Sequence, residues 1–208
     1  MSDLLRQVDE DLRKEKISNI WNRFKLYIIS VISLLIIFVA IYQYLEISEY
    51  NKKNATIESY YKASNYESIN EMLDELLKIE TKNIFTESLI DLKLADIYIV
   101  KGDKDLGLEK LEQIFKSKNK SILSDLALYK FLMLKINEIT ISELNGLIEN
   151  YNTQENNFNE LFKELVGIKN IIDEEYTEGK RIFESLLNSP SVSSEIKIRA
   201  EKYINIIN

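Results

Sequence analysis

Residues 95–114 read ADIYIVKGDKDLGLEKLEQI, and the reading of this stretch decides the fold. Apolar side chains recur every three or four residues on both sides of Lys101-Gly102-Asp103, the spacing of one buried face on a helix. Gly102 can take the left-handed conformation that stops a helix, and Asp103 can cap the next one. Ala95 and Gly107 place small residues in both helices where an antiparallel pair would cross most closely. A larger side chain there would push the helices apart. The stretch therefore predicts a helical hairpin.

Working outward, the same pattern of three- and four-residue spacing predicts helices at Ile69–Ile79, Leu89–Val100, Leu106–Phe115, Leu123–Ile136, Ile141–Ile148, Phe158–Ile172, Tyr176–Leu187 and Ile196–Ile207. Between them lie polar breaks such as Thr81-Lys82-Asn83, Lys118-Asn119-Lys120 and Asn188-Ser189-Pro190. Pro190 cannot continue a helical hydrogen-bond ladder. No stretch alternates with period two for long enough to be a strand. Ala95, Tyr98, Gly107, Leu111 and Ile114 match the small and large apolar positions of a tetratricopeptide unit of about 34 residues. Gly167, Gly179, Phe183, Leu186 and Pro190 carry the same offsets, with the proline one place early. Ser124 to Asn150 has the length of a repeat without its small residues. The expected fold is all-α, a tetratricopeptide-like solenoid of helical hairpins whose last helix, Ser193 to Asn208, caps the stack.

Composition narrows the chemistry. The 208 residues contain no histidine and no cysteine, which excludes imidazole triads, thiol nucleophiles, disulfides and the usual zinc ligand sets. A net charge of -7, from 27 basic and 34 acidic side chains, argues against a surface built for phosphate backbones, so no nucleic-acid partner is expected. Five glycines and one proline leave little room for phosphate loops or turn-rich β folds. Gly102-Asp103-Lys104-Asp105 begins like a calcium loop, but Leu108 and Ile114 stand where glycine and glutamate are required. Gly179-Lys180-Arg181 lacks the rest of a phosphate loop, and Asn54-Ala55-Thr56 is a glycosylation formula with no assigned role. Asp173-Glu174-Glu175 reads as a turn whose acids favour the following helix N-terminus. No cofactor, metal or catalytic group is expected; the chain reads as a non-enzyme.

Residues 26–45, LYIISVISLLIIFVAIYQYL, carry no charge. At a rise of ~1.5 Å per residue they span ~30 Å, a bilayer's hydrocarbon thickness. Their Leu, Ile, Val and Phe side chains favour insertion by about 4–8 kcal/mol in total. Trp21 and Tyr27 at one end, with Tyr42 and Tyr44 at the other, suit interfacial belts. A preceding region of 25 residues with five acids is unlike a cleaved signal peptide. Arg13, Lys14, Lys16, Arg23 and Lys25 precede the span, whereas Lys52 and Lys53 alone follow closely. The positive-inside bias then puts the N-terminus in the cytoplasm. The expected organisation is a cytoplasmic tail at 1–25, a membrane helix at 26–45, a juxtamembrane helix or stalk at 46–65, and a repeat domain at 66–208 outside the cytoplasm. In the tail, Leu4, Leu5, Val8 and Leu12 form one helical stripe suited to the membrane surface or to a partner helix, and the tail's five acids favour the partner.

The tail Arg6-Gln7-Val8-Asp9-Glu10-Asp11-Leu12-Arg13, the approach Ile20-Trp21-Asn22-Arg23-Phe24 and the degenerate repeats resemble the YfgM-like family of bacterial inner-membrane proteins. The likeness in layout covers the whole chain; in residues it covers the tail and the units at Ala95–Ile114 and Gly167–Pro190. This resemblance implies an ancillary subunit of the Sec translocon in the inner membrane, with its C-terminal domain in the periplasm. It also implies partners among translocon subunits, a membrane-anchored periplasmic chaperone and exported polypeptides. A membrane-anchored scaffold for cell-envelope assembly or division is the alternative expectation. Repeat offsets offer Leu92, Asp96 and Ile99 of one unit, and Glu164, Ile168 and Ile171 of another, as partner-binding residues, together with Leu4, Val8 and Leu12 in the tail.

Overall fold

The computed structural model describes residues 35–207, apart from 36, 49, 119 and 153–157. Every regular element among the described residues is a helix. Two compact units divide the chain after Ala55.

In the first unit, residues 37–48 and 50–55 are helical. Ile37, Phe38, Val39, Ile41, Tyr42, Tyr44 and Leu45 are each more than half exposed. Successive helical residues are rotated by about 100°, so these side chains face outward on all sides. Among the described residues no helix is long and apolar enough to cross a membrane. The expected span at 26–45 begins outside the described residues.

The second unit comprises α1 (residues 56–64), α2 (Ile69–Leu77), α3 (Ile84–Lys101), α4 (Lys104–Lys116), α5 (Ile122–Lys135), α6 (Ile141–Tyr151), α7 (Phe158–Ile172), α8 (Tyr176–Leu187) and α9 (Ser194–Ile207). Apolar periodicity located most of these ends to within a few residues. It missed the first turn of α3, which starts five residues before Leu89. There the Asn83 side chain accepts the Thr86 N–H at 3.0 Å and caps the helix. Thr86 and Ser88 are buried, so polar residues occupy positions an apolar stripe would mark. The α6 N-terminus is closed reciprocally: Thr140 N–H donates to the Glu143 carboxylate at 2.8 Å, and Glu143 N–H donates to the Thr140 hydroxyl at 3.2 Å.

From α2 onward, sequential helices pack side by side, and α3 also touches α5, α5 touches α7, and α7 touches α9. The largest core lies among α3 to α7, with Leu111, Phe115, Leu128, Leu132, Leu144 and Leu165 fully buried. A second joins Ala63 and Leu76 to Ile90, Leu94 and Ile97 of α3. The third holds Phe183, Leu186, Val192, Ile196 and Ala200. Because Leu92 and Ala95 belong to the first core, α3 is buried on two sides.

The hairpins α3–α4 and α7–α8 share one geometry, shifted by 72 residues. A Cβ on Gly107 would sit 3.0 Å from the Ala95 carbonyl oxygen and 2.6 Å from Ile99 Cγ1. A Cβ on Gly179 would sit 3.3 Å from the Gly167 carbonyl oxygen and 3.1 Å from Ile171 Cγ1. The turns correspond bond for bond. Gly102 N–H donates to Ile99 O and Asp103 N–H to Tyr98 O; Glu174 N–H donates to Ile171 O and Glu175 N–H to Asn170 O. Gly102 has φ 91° as expected, and its counterpart Glu174 has φ 65°. One expectation for these turns needs correction, the cap at Asp103. Asp103 occupies the N-cap position of α4 without making a side-chain cap bond, and Glu175 does the same at α8. In both, ψ near 60° departs from the extended geometry of side-chain caps, and the turn is held by its backbone bonds.

The glycines should therefore respond in opposite directions. Gly107→Ala meets immovable backbone and should cost about 1–2 kcal/mol after the gain in helix propensity. Gly146, with nothing within 4 Å of a built Cβ, should gain up to about 1 kcal/mol from the same change. Glu174→Gly should also stabilise, because glycine relieves a left-handed backbone. Urea midpoints of the four chains check the order.

Candidate protein-binding surface

The helices α3, α5, α7 and α9 present one line of polar side chains to each other. Glu164 in α7 is 3 % exposed and receives the Arg199 guanidinium of α9 through both nitrogens. Nε reaches Oε1 at 2.6 Å and Nη2 reaches Oε2 at 2.7 Å. That hydrogen bonding raises the Arg199 pKa above its ordinary value. Burial, and then the Glu164 charge, push the nearby Tyr129 and Tyr203 phenols upward. The Tyr129 ring lies 6.2 Å from Phe158 and 6.3 Å from Phe162. Further along, Lys130 of α5 donates to Asp96 of α3.

These contacts place the residues expected to bind a partner. Asp96 and Glu164 are engaged with Lys130 and Arg199, which follow them by 34 and 35 residues. Leu92 is 6 % exposed and belongs to the large core. Ile99 and Ile171 are half-buried over Gly107 and Gly179. Ile168 is half-buried and packs against both the first and third cores. Leu4, Val8 and Leu12 lie outside the described residues. The structure thus brings Asp96 and Glu164 onto one inter-helix line and sets the isoleucines within hairpins. Arg199, Lys130 and Tyr129 went unnoticed in the sequence. Opposite charges spaced by one repeat length, on helices expected to be neighbours, were the available signal.

An open cleft of about 250 Å³ separates α6 from α7. Ile148, Phe162 and Val166 supply apolar walls, and Asn145, Asn152 and Asn159 supply amides. The Asn152 amide donates to the Asn159 side-chain oxygen at 2.6 Å. Asn145 lies in α6, Asn152 at its C-terminal end and Asn159 in α7, so the three amides are brought together from two helices.

The polar side chains of the inter-helix line, and Asn152 and Asn159 at the cleft, are engaged in hydrogen bonds and ion pairs. The glutamates whose pKa departs from the ordinary value all move down, away from neutrality. Glu138 is drawn to about 2 by hydrogen bonds from the Lys104 and Lys135 ammonium groups. Lys169, buried in α7, pairs with Asp173 at 2.6 Å. Among the described residues, no group of three or more His, Cys, Asp or Glu side chains could hold a metal ion.

The fold and this surface define an all-helical protein with repeated hairpin geometry. No family model, curated protein or solved structure matches the chain.

Removing Arg199 strands a buried carboxylate. Arg199→Ala should cost about 1–3 kcal/mol, moderated because the arginine itself is partly exposed. A Glu164→Met, Arg199→Met double variant should recover most of that loss in the same urea titration. The depressed glutamates set the acid limb. Their ionised contacts are complete above the unfolded carboxyl value and disappear as pH falls through the folded values. The urea midpoint should therefore decline from about pH 4.5 toward pH 2, and Glu138→Gln should flatten part of that decline.

Proposed function

We propose that the chain is a single-pass bacterial inner-membrane protein whose periplasmic domain is a tetratricopeptide-like stack of helical hairpins. It binds proteins and catalyses no reaction. The observation that carries this reading is the recurrence of one hairpin, α3–α4 and α7–α8, with the same close crossing and the same turn. In a stack of this kind α3, α5, α7 and α9 line the inner face, and that face suits an extended segment or a partner helix. The outward-facing apolar side chains of residues 37–45 support the anchor, since lipid is a solvent that accepts them on every side.

The partners follow from the YfgM-like resemblance: Sec translocon subunits, a membrane-anchored periplasmic chaperone and polypeptides in export. The groups on the inner face would meet a polypeptide through hydrogen bonds and apolar contact. Met133, 45 % exposed and one turn along α5 from Lys130, offers an apolar contact there.

Photo-crosslinking residues at Met133 and Lys163, in the anchored chain in native membranes, test this directly. The expected adducts contain channel subunits or polypeptides arrested during export. Adducts with division or cell-wall proteins and none with the channel would favour an envelope scaffold instead, and adducts with lipid alone would reject protein binding by this face.

A further inference from the structure

The 72-residue shift that relates the two hairpins also relates the helices before them. α2 and α6 begin at Ile69 and Ile141, behind Ser68 and Thr140 in the N-cap positions. The cleft between α6 and α7 thus corresponds to the groove between α2 and α3. In that first copy the chain fills the groove itself: Leu73 packs on the second core, and Leu76, Ile90 and Leu94 are buried. In the second copy Asn145 stands at the place of Leu73. Ile148 and Val166, at the places of Leu76 and Leu94, are only half-buried. What side chains close in one copy is left in the other as an open cleft of about 250 Å³.

The charges differ between the copies as well. Asp91 of α3 pairs with Lys110 at 2.9 Å. Its counterpart Lys163 on α7 lines the cleft, and Glu149 lines it from α6. Among the described residues neither side chain has an ion-pair or hydrogen-bond partner, and the Asn145 amide is likewise unengaged. One wall therefore carries a carboxylate and the other an ammonium, with an amide beside them that can both donate and accept. From Asn145 to Asn152 the cleft runs about 10 Å along α6, room for three residues of extended chain at about 3.3 Å each. Successive side chains of an extended chain point to opposite sides, which is what two walls of opposite charge require of an adjacent basic and acidic pair. The aliphatic stems of such side chains would cover Ile148 and Val166. Each peptide group has one donor and one acceptor to match the Asn145 amide.

We propose that the α6–α7 cleft binds an extended polypeptide segment in which a basic and an acidic residue are adjacent. The basic side chain meets Glu149, the acidic one meets Lys163, and the main chain is hydrogen-bonded to Asn145. This rests on the protein-binding reading above and names the ligand that one part of the surface takes.

The probes are three short fluorescent peptides with blocked ends and a central lysine–glutamate, lysine–lysine or glutamate–glutamate pair among alanines and serines. Each is titrated into the full chain in detergent and read by anisotropy. The mixed pair should bind about five-fold more tightly than either like-charged pair, as two exposed ion pairs allow, and the preference should shrink with salt. Lys163→Glu should move the preference to the lysine–lysine peptide, and Glu149→Lys should move it to the glutamate–glutamate peptide. Asn145→Leu, which introduces the residue of the closed groove, should weaken the mixed peptide at least about five-fold while the urea midpoint holds or rises. Absent binding, equal binding of all three peptides, or preferences that ignore these variants would overturn the proposal. Equal competition by a free amino acid would also overturn it, making the cleft a site for small molecules. Adducts from Met133 to exported polypeptides without peptide selectivity in the cleft reject this proposal alone. Peptide selectivity without any channel adduct rejects the translocon partnership alone.

Discussion

How closely two helices of a hairpin can approach is the constraint on which the second unit depends. The facing backbone carbonyl would stand 3.0 Å from a methyl carbon at Gly107 and 3.3 Å from one at Gly179, closer than ordinary contact. Helix axes normally stand 8–10 Å apart according to the side chains at the contact, so small residues on both helices set the near end of that range. The close crossing then decides what lies beside it. Ile99 and Ile171 fold over the glycines, and the fully buried Phe183 ring sits where a Cβ on Gly167 would be, 2.8 Å away. One missing side chain thus positions the core of its own hairpin.

Apolar stripes alone leave the relative alignment of neighbouring helices loosely defined, because a shift by one turn presents a similar stripe. Polar contacts restrict it. Asp96–Lys130 joins α3 to α5, and Glu164–Arg199 joins α7 to α9. The first pair is partly exposed and contributes little net stability, about 0–1 kcal/mol. The second involves a nearly fully buried carboxylate, for which any misaligned arrangement leaves an uncompensated charge. Its main effect is therefore on which alignment is tolerated.

Much of the helical order was legible in the sequence, because the second unit's helices bury one face and leave periodic apolar marks. The limits of α7 and α8 at Phe158, Ile172, Tyr176 and Leu187 could be read that way. So could the stop at Gly102, where a left-handed backbone favours glycine. Glu174 was not legible, since the equivalent turn keeps its backbone bonds with a side chain that disfavours the conformation. The start of α3 was hidden by buried Thr86 and Ser88. Of the candidate surface, Asp96 and Glu164 were found as positions, but their partners come from helices about one repeat away, beyond the reach of any local pattern. The asparagines of the α6–α7 cleft come from two helices, so no single periodicity links them.

Two apolar helices in this chain have opposite surroundings. α3 is rich in Leu and Ile nearly all round, and neighbours on two sides take up Ile90, Leu92, Leu94 and Ile97. Residues 37–47 are at least as apolar, yet each described side chain there is exposed. Hydropathy alone does not separate the cases; the neighbours seen among the described residues do. Burying a Leu, Ile or Phe side chain contributes about 1.5–3 kcal/mol, so the exposed set represents a large unsatisfied drive toward an apolar surrounding. Among the described residues of the first unit, no side chain covers that set. A surrounding medium that covers every face at once, as lipid does, would remove that imbalance for the stretch up to residue 45, which is the ground of the anchor proposed above.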